Sequence, residues 1–461
     1  MAWAPQEVSQ VAFLGCPIYE CLLEGPRGGG KTAVLIMDWY QHVGQGYGSE
    51  WRGILFRRSY PELQDVIEKT LSLFAVLCPS AKYNRSEHYW TMPQGEKLFL
   101  RHFEKPDHYW NFHGHSYTWI GWEELCLWPN DECLTSMMST SRSSVVGIPI
   151  KVRATTNPYG VGHNWVKARY RLPITSETQV GPVDGDRVAI HSHLAENKVL
   201  LHADPNYIKR IISAARNAAE EAAWVHGDWD IVAGGMFDDI WDKDVHFVQA
   251  IPLPLIPKLW RIDRSYDHGQ SKPFSVGWWA TSNGEPFTFM GRQYGTVPGD
   301  LYRVAEWYGC TGKPDEGLRM LSSDIGRGIA EREERWGISG RVFIGPADSS
   351  IFDPFEPGKT VAGEMRRSGI IWESADKSPG SRKQGWQLLR EMLAAAKTLP
   401  REEPGLFVFN TCFDFKRTFP VLPRSPKDLD DVDTEAEDHI GDECRYRVRR
   451  RDRTVKSGAY R

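Results

Sequence analysis

No run of 18 apolar residues occurs in the sequence, so it offers no membrane-spanning helix. Residues 1–15 have neither a basic start nor a long apolar stretch, so no secretory leader is expected there. The eight cysteines (16, 21, 78, 126, 133, 310, 412 and 444) form no CxxC pair. They are too sparse in 461 residues to staple a small secreted fold, which points to reduced thiols in a cytosolic protein. Neither charge sign dominates: 56 Lys and Arg against 60 Asp and Glu leave a net −4. That balance excludes nucleic-acid binding by bulk charge and leaves room for a local basic patch. No internal repeat or low-complexity tract stands out. Present instead are 41% hydrophobic and 12% aromatic residues, enough for sizeable cores in a chain long enough for two or three domains.

The pattern predicts strands over 19–24, 52–57, 97–103, 116–122 and 150–155, with helices over 31–43 and 60–77 between them. Strands alternating with helices imply a mainly parallel α/β sheet. A helix is expected over 207–225. The three prolines of 251–258 mark a boundary near residue 250. The expected division is a motor domain over 1–195, a helical linker or lid over 196–250, and a second domain over 251–461. In the last, strands over 259–263, 274–281, 286–291, 301–307, 341–344, 369–372 and 406–410 mix with helices over 316–335, 361–368, 382–397 and 437–450.

Residues 25–32 read GPRGGGKT, a complete GxxxxGK[ST] after a predicted strand and before a predicted helix. Gly25, Arg27, Gly28, Gly29 and Gly30 form a loop whose backbone N–H groups can turn inward around phosphate oxygens. Lys31 would reach the β- and γ-phosphates and Thr32 would ligate Mg²⁺. Glu123 and Glu124 follow the strand YTWIGW. One carboxylate would hold Mg²⁺ through water and the other would polarise the attacking water. By position Glu123 takes the metal and Glu124 the base role. Glu123 stands where Asp is usual, so which of the two is nearer the metal stays open. Thr155, Thr156 and Asn157 end the next strand, where polar groups could sense the γ-phosphate. Arg57 and Arg58 could face nucleotide or DNA.

A second set of acids is spread through the later half. Asp267 lies in RIDRSYDHG, Asp348 in GPADSS, and Asp438, His439 and Asp442 in EDHIGDECRY. Asp438 and Asp442 are i,i+4 and share a helix face. Carboxylates converging from two strand ends and a helix could bind two divalent ions, which activate water and stabilise the leaving 3′-oxygen in phosphodiester cleavage. Oxygen ligands suit Mg²⁺ or Mn²⁺.

Together these elements resemble the large subunit of tailed-bacteriophage DNA packaging terminases. The resemblance runs over nearly the whole chain: EGPRGGGKT (24–32), ILFRRSYPEL (54–63), HGHSYTWIGWEEL (113–125), ATTNP (154–158), GDWD (227–230), Asp267 with Gly269, GPADSS (345–350) and EDHIGDECRY (437–446). It implies an N-terminal ASCE-type P-loop ATPase and a C-terminal RNase H-like nuclease. Lys31 and Thr32 would be the P-loop pair, Glu124 the catalytic carboxylate, and Thr156 and Asn157 the coupling motif. Asp267, Asp348 and Asp442 would be the metal-binding acids, with His439 adjacent. Gln10 resembles an adenine-reading glutamine, with Gln6 as competitor. Arg27 and Arg142 are candidates for the arginine that stabilises the transferring phosphate. The implied partners are double-stranded DNA, a small terminase subunit and a procapsid portal, on which a homo-oligomeric ring would sit. ATP with Mg²⁺, and two Mg²⁺ or Mn²⁺, would be the cofactors. The implied location is the cytoplasm of an infected bacterium and, transiently, the portal. No membrane role follows. A helicase–nuclease of DNA repair and a non-catalytic P-loop assembly protein are the alternatives.

The near-zero net charge conceals two blocks. Residues 428–443 hold nine acids and no Lys or Arg, whereas 444–461 hold eight basic residues and one acid. The first suits a metal site. The second suits phosphate contacts or portal docking, or is simply a solvated end.

Overall fold

Strands buried on both faces need near-continuous apolar runs, and the sequence supplies them in Ile54–Leu55–Phe56 and Cys21–Leu22–Leu23. The computed structural model describes residues 3–174, 176, 178–215, 221–230, 235–425 and 427–450. The chain divides into two units, 1–234 and 235–461.

In the first unit nine strands form one sheet, in the order Lys82–Asn84, Tyr89–Thr91, Lys97–His102, Arg52–Arg57, Trp119–Glu123, Lys151–Thr156, Glu20–Glu24, Arg187–His191, Val180–Pro182. The six from Lys97–His102 to Arg187–His191 are mutually parallel. Their C-terminal ends therefore share one edge, where loops can gather side chains into a site. Strand Lys151–Thr156 lies between the strand that feeds the glycine loop and the strand that ends in Glu123. This additional strand fits the expected ASCE-type arrangement. Helix Tyr60–Leu77 has the predicted bounds, set by a capping box between Ser59 and Glu62 and by a proline in its first turn.

The helix expected over 207–225 stops at Ala214, where Ala215 turns extended. A π-helical turn, Ala222–His226, follows, and residues 216–220 lie outside the described set. The expected linker over 196–250 is not one body. Asn197 Nδ2 donates to Gly28 O (2.6 Å) and Trp229 Nε1 to Glu24 (2.7 Å), so this part belongs to the first unit. Met236 N donates to Leu422 O, and strand Phe247–Val248 pairs with Leu406–Phe409, so the rest belongs to the second.

The second unit is built on a mixed sheet. Arg261–Asp267, Ser275–Asn283 and Pro298–Tyr308 run antiparallel in chain order. Gly345–Ala347 and then Trp372–Ser374 add in parallel on the free side of Arg261–Asp267. Leu406–Phe409 adds in parallel to Pro298–Tyr308. Tyr266 faces Ala347 in the register, so Asp267 and Asp348 emerge from neighbouring strand ends. The strand expected over 286–291 is instead a separate hairpin, Phe287–Phe289 with Arg292–Tyr294, turning at Gly291.

Helix His439–Arg449 lies on this sheet through Ile440 and Cys444, but also through buried charge. Glu443 is fully buried and accepts from Ser265 Oγ, Trp279 Nε1 (2.9 Å) and the fully buried Arg303 guanidinium. Gly277 makes room, since a Cβ there would collide with both partners of this ion pair. Arg447 reaches Asp263 at 2.5 Å. Removing one partner of a buried pair strands the other charge. Glu443→Ala is therefore expected to lower the unfolding free energy by about 3–5 kcal/mol in urea melts. A loss below about 1 kcal/mol, the worth of an exposed pair, would contradict this.

Candidate functional sites

The glycine loop joins strand Glu20–Glu24 to helix Lys31–Tyr40. Gly25 and Gly28 have φ of +139° and +78°, values that L side chains rarely adopt. A Cβ at Gly25 would strike Ser192, and one at Gly28 the Tyr207 ring. The loop is therefore wrapped from outside by residues 192–207. Gln10 is buried and its Nε2 donates to Gly29 O at 2.9 Å, while Gln6 donates its backbone N–H to Gln10 and its side chain to Ala4 O. Of the two glutamines, Gln10 is thus the one at the loop.

Lys31 is buried, and its ammonium donates to Gly25 O (3.2 Å), Pro26 O (2.6 Å) and Asn157 Oδ1 (2.7 Å). Burial lowers its pKa against the opposing pull of Glu124, Glu24 and Glu123. Asn157 Nδ2 in turn donates to both Glu124 oxygens, at 2.8 and 3.0 Å. Glu124 is held in the left-handed region (φ 57°, ψ 56°), a conformation costly for a residue with a Cβ and characteristic of functional turns. Thr32 Oγ1 donates to Glu123, whose other oxygen meets Arg57 Nη1 at 3.0 Å. Burial raises the Glu123 pKa while Arg57 and Thr32 pull it down. Thr32 and Glu123, the two groups expected to share Mg²⁺, are therefore already in contact, so the donor set fits the ion. Thr156 Oγ1 accepts from Cys126 N and fixes the turn after the acids, and Thr155 is buried opposite Glu123.

The arginines separate. Arg57 reaches the acids, and Arg58 donates to Leu127 O. Arg27 stacks on Trp224 at 4.7 Å. Arg142 is not brought to the loop: it bonds Ser116 and Tyr117 O, before the start of the strand that ends in Glu123. Following that strand in sequence put it on the wrong edge of the sheet for a role at its own P-loop.

Sequence reasoning missed the support behind the loop. Glu24 is fully buried, facing His191 Nδ1 (2.7 Å) and accepting from Trp229 Nε1. The Trp229 carbonyl meets His163 Nε2 (3.0 Å) and Lys167 Nζ (2.8 Å). Burial pushes the His163 imidazole down to about 3, from an ordinary 6.5. Folded His163 stays neutral where the unfolded side chain takes up a proton. The first unit should then keep full stability above pH 6.5 and lose it steadily as pH falls towards 3. Its melting temperature against pH checks this, and His163→Gln should flatten the decline.

The acids of the second unit meet at one end of its sheet. His439 faces Asp267 through Nδ1 (3.5 Å) and Asp315 through Nε2 (3.0 Å). Asp315 also pairs with Lys272. Arg382 binds Asp442 through both oxygens (2.9 and 3.1 Å) and Asp438 at 3.1 Å. Lys377 binds Asp348 at 2.7 Å, and Tyr446 OH donates to the same carboxylate. Asp267 is pushed up to about 6 by burial and by the charges of Asp442 and Asp348, offset by His439. Asp438 is pushed up to about 7, by burial first and then by Asp442. Carboxylates this crowded fit a hard divalent cation by donor type. Among the described residues, no three His, Cys, Asp or Glu side chains are already posed as a ligand group. The acids are turned instead onto Arg382, Lys377 and His439. Arg382, Lys377 and Asp315 carried no motif, so nothing in the sequence marked them.

The described part of the basic block is also internally paired. Arg445 bonds Asp442, Arg447 and Arg450 bond Asp263, and Arg449 bonds Gln384 and Asp376. The expected docking role for these four gives way to structural pairing. The remaining basic residues, from 451 on, lie outside the described set.

No family model and no curated protein matches the chain significantly. Solved structures do. The structural neighbours are phage large terminases. That of a thermophilic bacteriophage, in complex with ADP, is 17% identical, with 96% of this chain and 98% of that one covered and a TM-score of 0.41. The HK97 bacteriophage large terminase is 11% identical, covering 97% and 95%, with a TM-score of 0.45. The P22 large terminase nuclease domain is 15% identical over 46% of this chain and 90% of that one, with a TM-score of 0.32. Among the described residues no helix is long and apolar enough to cross a membrane, and all eight cysteines are free thiols.

Proposed function

We propose that the chain is a terminase large subunit: an ATP-driven motor that moves double-stranded viral DNA into a procapsid, and a divalent-metal-dependent endonuclease that cuts concatemeric DNA. The observation that carries this reading is one line of contacts, from Lys31 through Asn157 to Glu124, in a chain that gathers a separate set of acids in its other unit.

In the first unit Lys31 would transfer its hydrogen bonds from Asn157 and the loop carbonyls to the β- and γ-phosphates of ATP. Asn157 would then loosen its hold on Glu124, which would orient and deprotonate the attacking water. Mg²⁺, held by Thr32 and Glu123, would neutralise phosphate charge. Arg57 positions Glu123, and Gln10 would read adenine beside Gly29. Thr155, Thr156 and Asn157 would couple phosphate state to the loops. Arg27, within the glycine loop, would meet transferring charge within the same chain only on leaving the Trp224 ring.

In the second unit the three antiparallel strands followed by parallel ones support the RNase H-like reading. Asp267, Asp348 and Asp442, helped by Asp438, would hold divalent metal, which supplies an activated water and neutralises the leaving oxygen. His439 orients Asp267, and Tyr446 steadies Asp348. A small terminase subunit and a portal would be the partners, with the chain as a ring on the portal, in the host cytoplasm. A strand-displacement assay separates this from a helicase–nuclease. ATP turnover without unwinding of a forked duplex is expected, and ATP-dependent unwinding would overturn the motor reading.

A further inference from the structure

Arg382 is the second residue of helix Ser381–Lys397. Every nitrogen of its guanidinium is used by an acid: Nε by Asp431 (2.7 Å), Nη1 by Asp442, and Nη2 by Asp438. Trp386, one turn on, lies 5.5 Å below the guanidinium and donates its own Nε1–H to Asp431 at 2.8 Å. Arg445 adds a further contact to Asp442 at 3.2 Å. This cation shares one nitrogen between both oxygens of one acid, is bonded to two more acids, stacked and about three-quarters buried. Such planar, multiply bonded arginines are the hardest ion pairs to displace.

The other half of the acid group is held loosely. Among the described residues Lys377, 41% exposed, is the one cation on Asp348, whose other partners, Tyr446 OH and Ser350 N, are neutral donors. Asp267 faces the His439 ring at 3.5 Å, and that ring is turned towards Asp315 on its other side. An entering divalent ion would exchange with one exposed lysine on the Asp267–Asp348 side. On the Asp438–Asp442 side it would have to break three hydrogen bonds from Arg382.

We infer that Arg382 is a built-in cation that takes the place of a second metal, so that this site binds one divalent ion, between Asp267 and Asp348. The inference rests on the nuclease reading and refines it. Asp442 and Asp438, instead of ligating metal themselves, then hold Arg382 in the site, where its guanidinium supplies the positive charge. Lys377 is the group that the single ion displaces.

Counting bound Mn²⁺ by electron paramagnetic resonance on the full-length protein, without nucleotide, tests this directly. The wild type should bind one ion that Asp267→Asn abolishes. Arg382→Met should admit a second ion, and Arg382→Lys, which keeps the charge, should not. Lys377→Met should tighten the first site roughly fivefold, the strength of a partly exposed ion pair. Two ions in the wild type, both retained in Thr32→Ala, would overturn the Arg382 inference alone. No Asp267-dependent Mn²⁺ in either the wild type or Arg382→Met would overturn the nuclease reading as well.

Discussion

Replacing Lys31 by Ala is expected to lower the ATPase kcat by at least ~10³-fold, in line with losing a preorganised charged donor to the transferring phosphate. The ammonium is buried and shared among two carbonyls and Asn157, and the two arginines nearest by sequence and contact are engaged elsewhere. Arg27 is turned onto Trp224 and Arg57 onto Glu123. Glu124→Gln should fail differently. Its amide can still meet Asn157, so nucleotide binding should stay near wild type while turnover falls by roughly 10²–10⁴-fold, the usual contribution of a general base. Measured ATP hydrolysis and nucleotide affinity separate the two. Turnover by Lys31→Ala within tenfold of wild type would remove the P-loop from the mechanism.

The second large effect belongs to the acids. Asp348→Ala combined with Asp442→Ala is expected to cut Mn²⁺-dependent plasmid digestion by about 10³-fold or more, the scale of losing several kcal/mol of metal-supplied stabilisation. ATP hydrolysis should hold within about twofold, because the two sets of residues lie in different units, each with its own sheet and core. Unchanged digestion would leave the acids as a structural ion network. Equal loss of both activities would mean that the sites are not independent.

Both predictions draw on features legible in the sequence, and the reasons are physical. The P-loop is legible because its chemistry is local: eight consecutive residues supply the glycines, lysine and threonine, and the flanking strand and helix have clear apolar periods. Glu123, Asn157, Asp267 and Asp348 are legible because each ends a strand, and parallel strands bring their ends to one edge whatever the loops do. The strand expected over 341–344 is present as Val342–Phe343, and a second short strand, Gly345–Ala347, follows it along Arg261–Asp267 and brings the next acid beside Asp267.

What was not legible is pairing between distant charges. Nothing near Glu24 foretells His191 or Trp229, because they lie 167 and 205 residues away in sequence. Arg382 looks like any helix-start arginine until the helix is laid beside Asp431, Asp438 and Asp442. The acidic and basic blocks at the end of the chain suggested a metal site and a docking tail. Folding uses Glu443 and the first four arginines to fasten helix His439–Arg449 to its sheet and to neighbouring acids instead. Arg142 shows the complementary point: closeness in sequence to a functional strand does not say which end of the strand a side chain joins.

The central claim is that ATP hydrolysis in the first unit drives duplex DNA while the acids of the second cut it. The most direct measurement is the amount of linear duplex DNA protected from added nuclease by portal-bearing procapsids, with the wild type, Lys31→Ala, and the Asp348→Ala, Asp442→Ala pair. The account predicts ATP-dependent protection by the wild type and by the acid pair, and none by Lys31→Ala. Protection that persists in Lys31→Ala, or that is absent from a wild type still hydrolysing ATP on those procapsids, would contradict it.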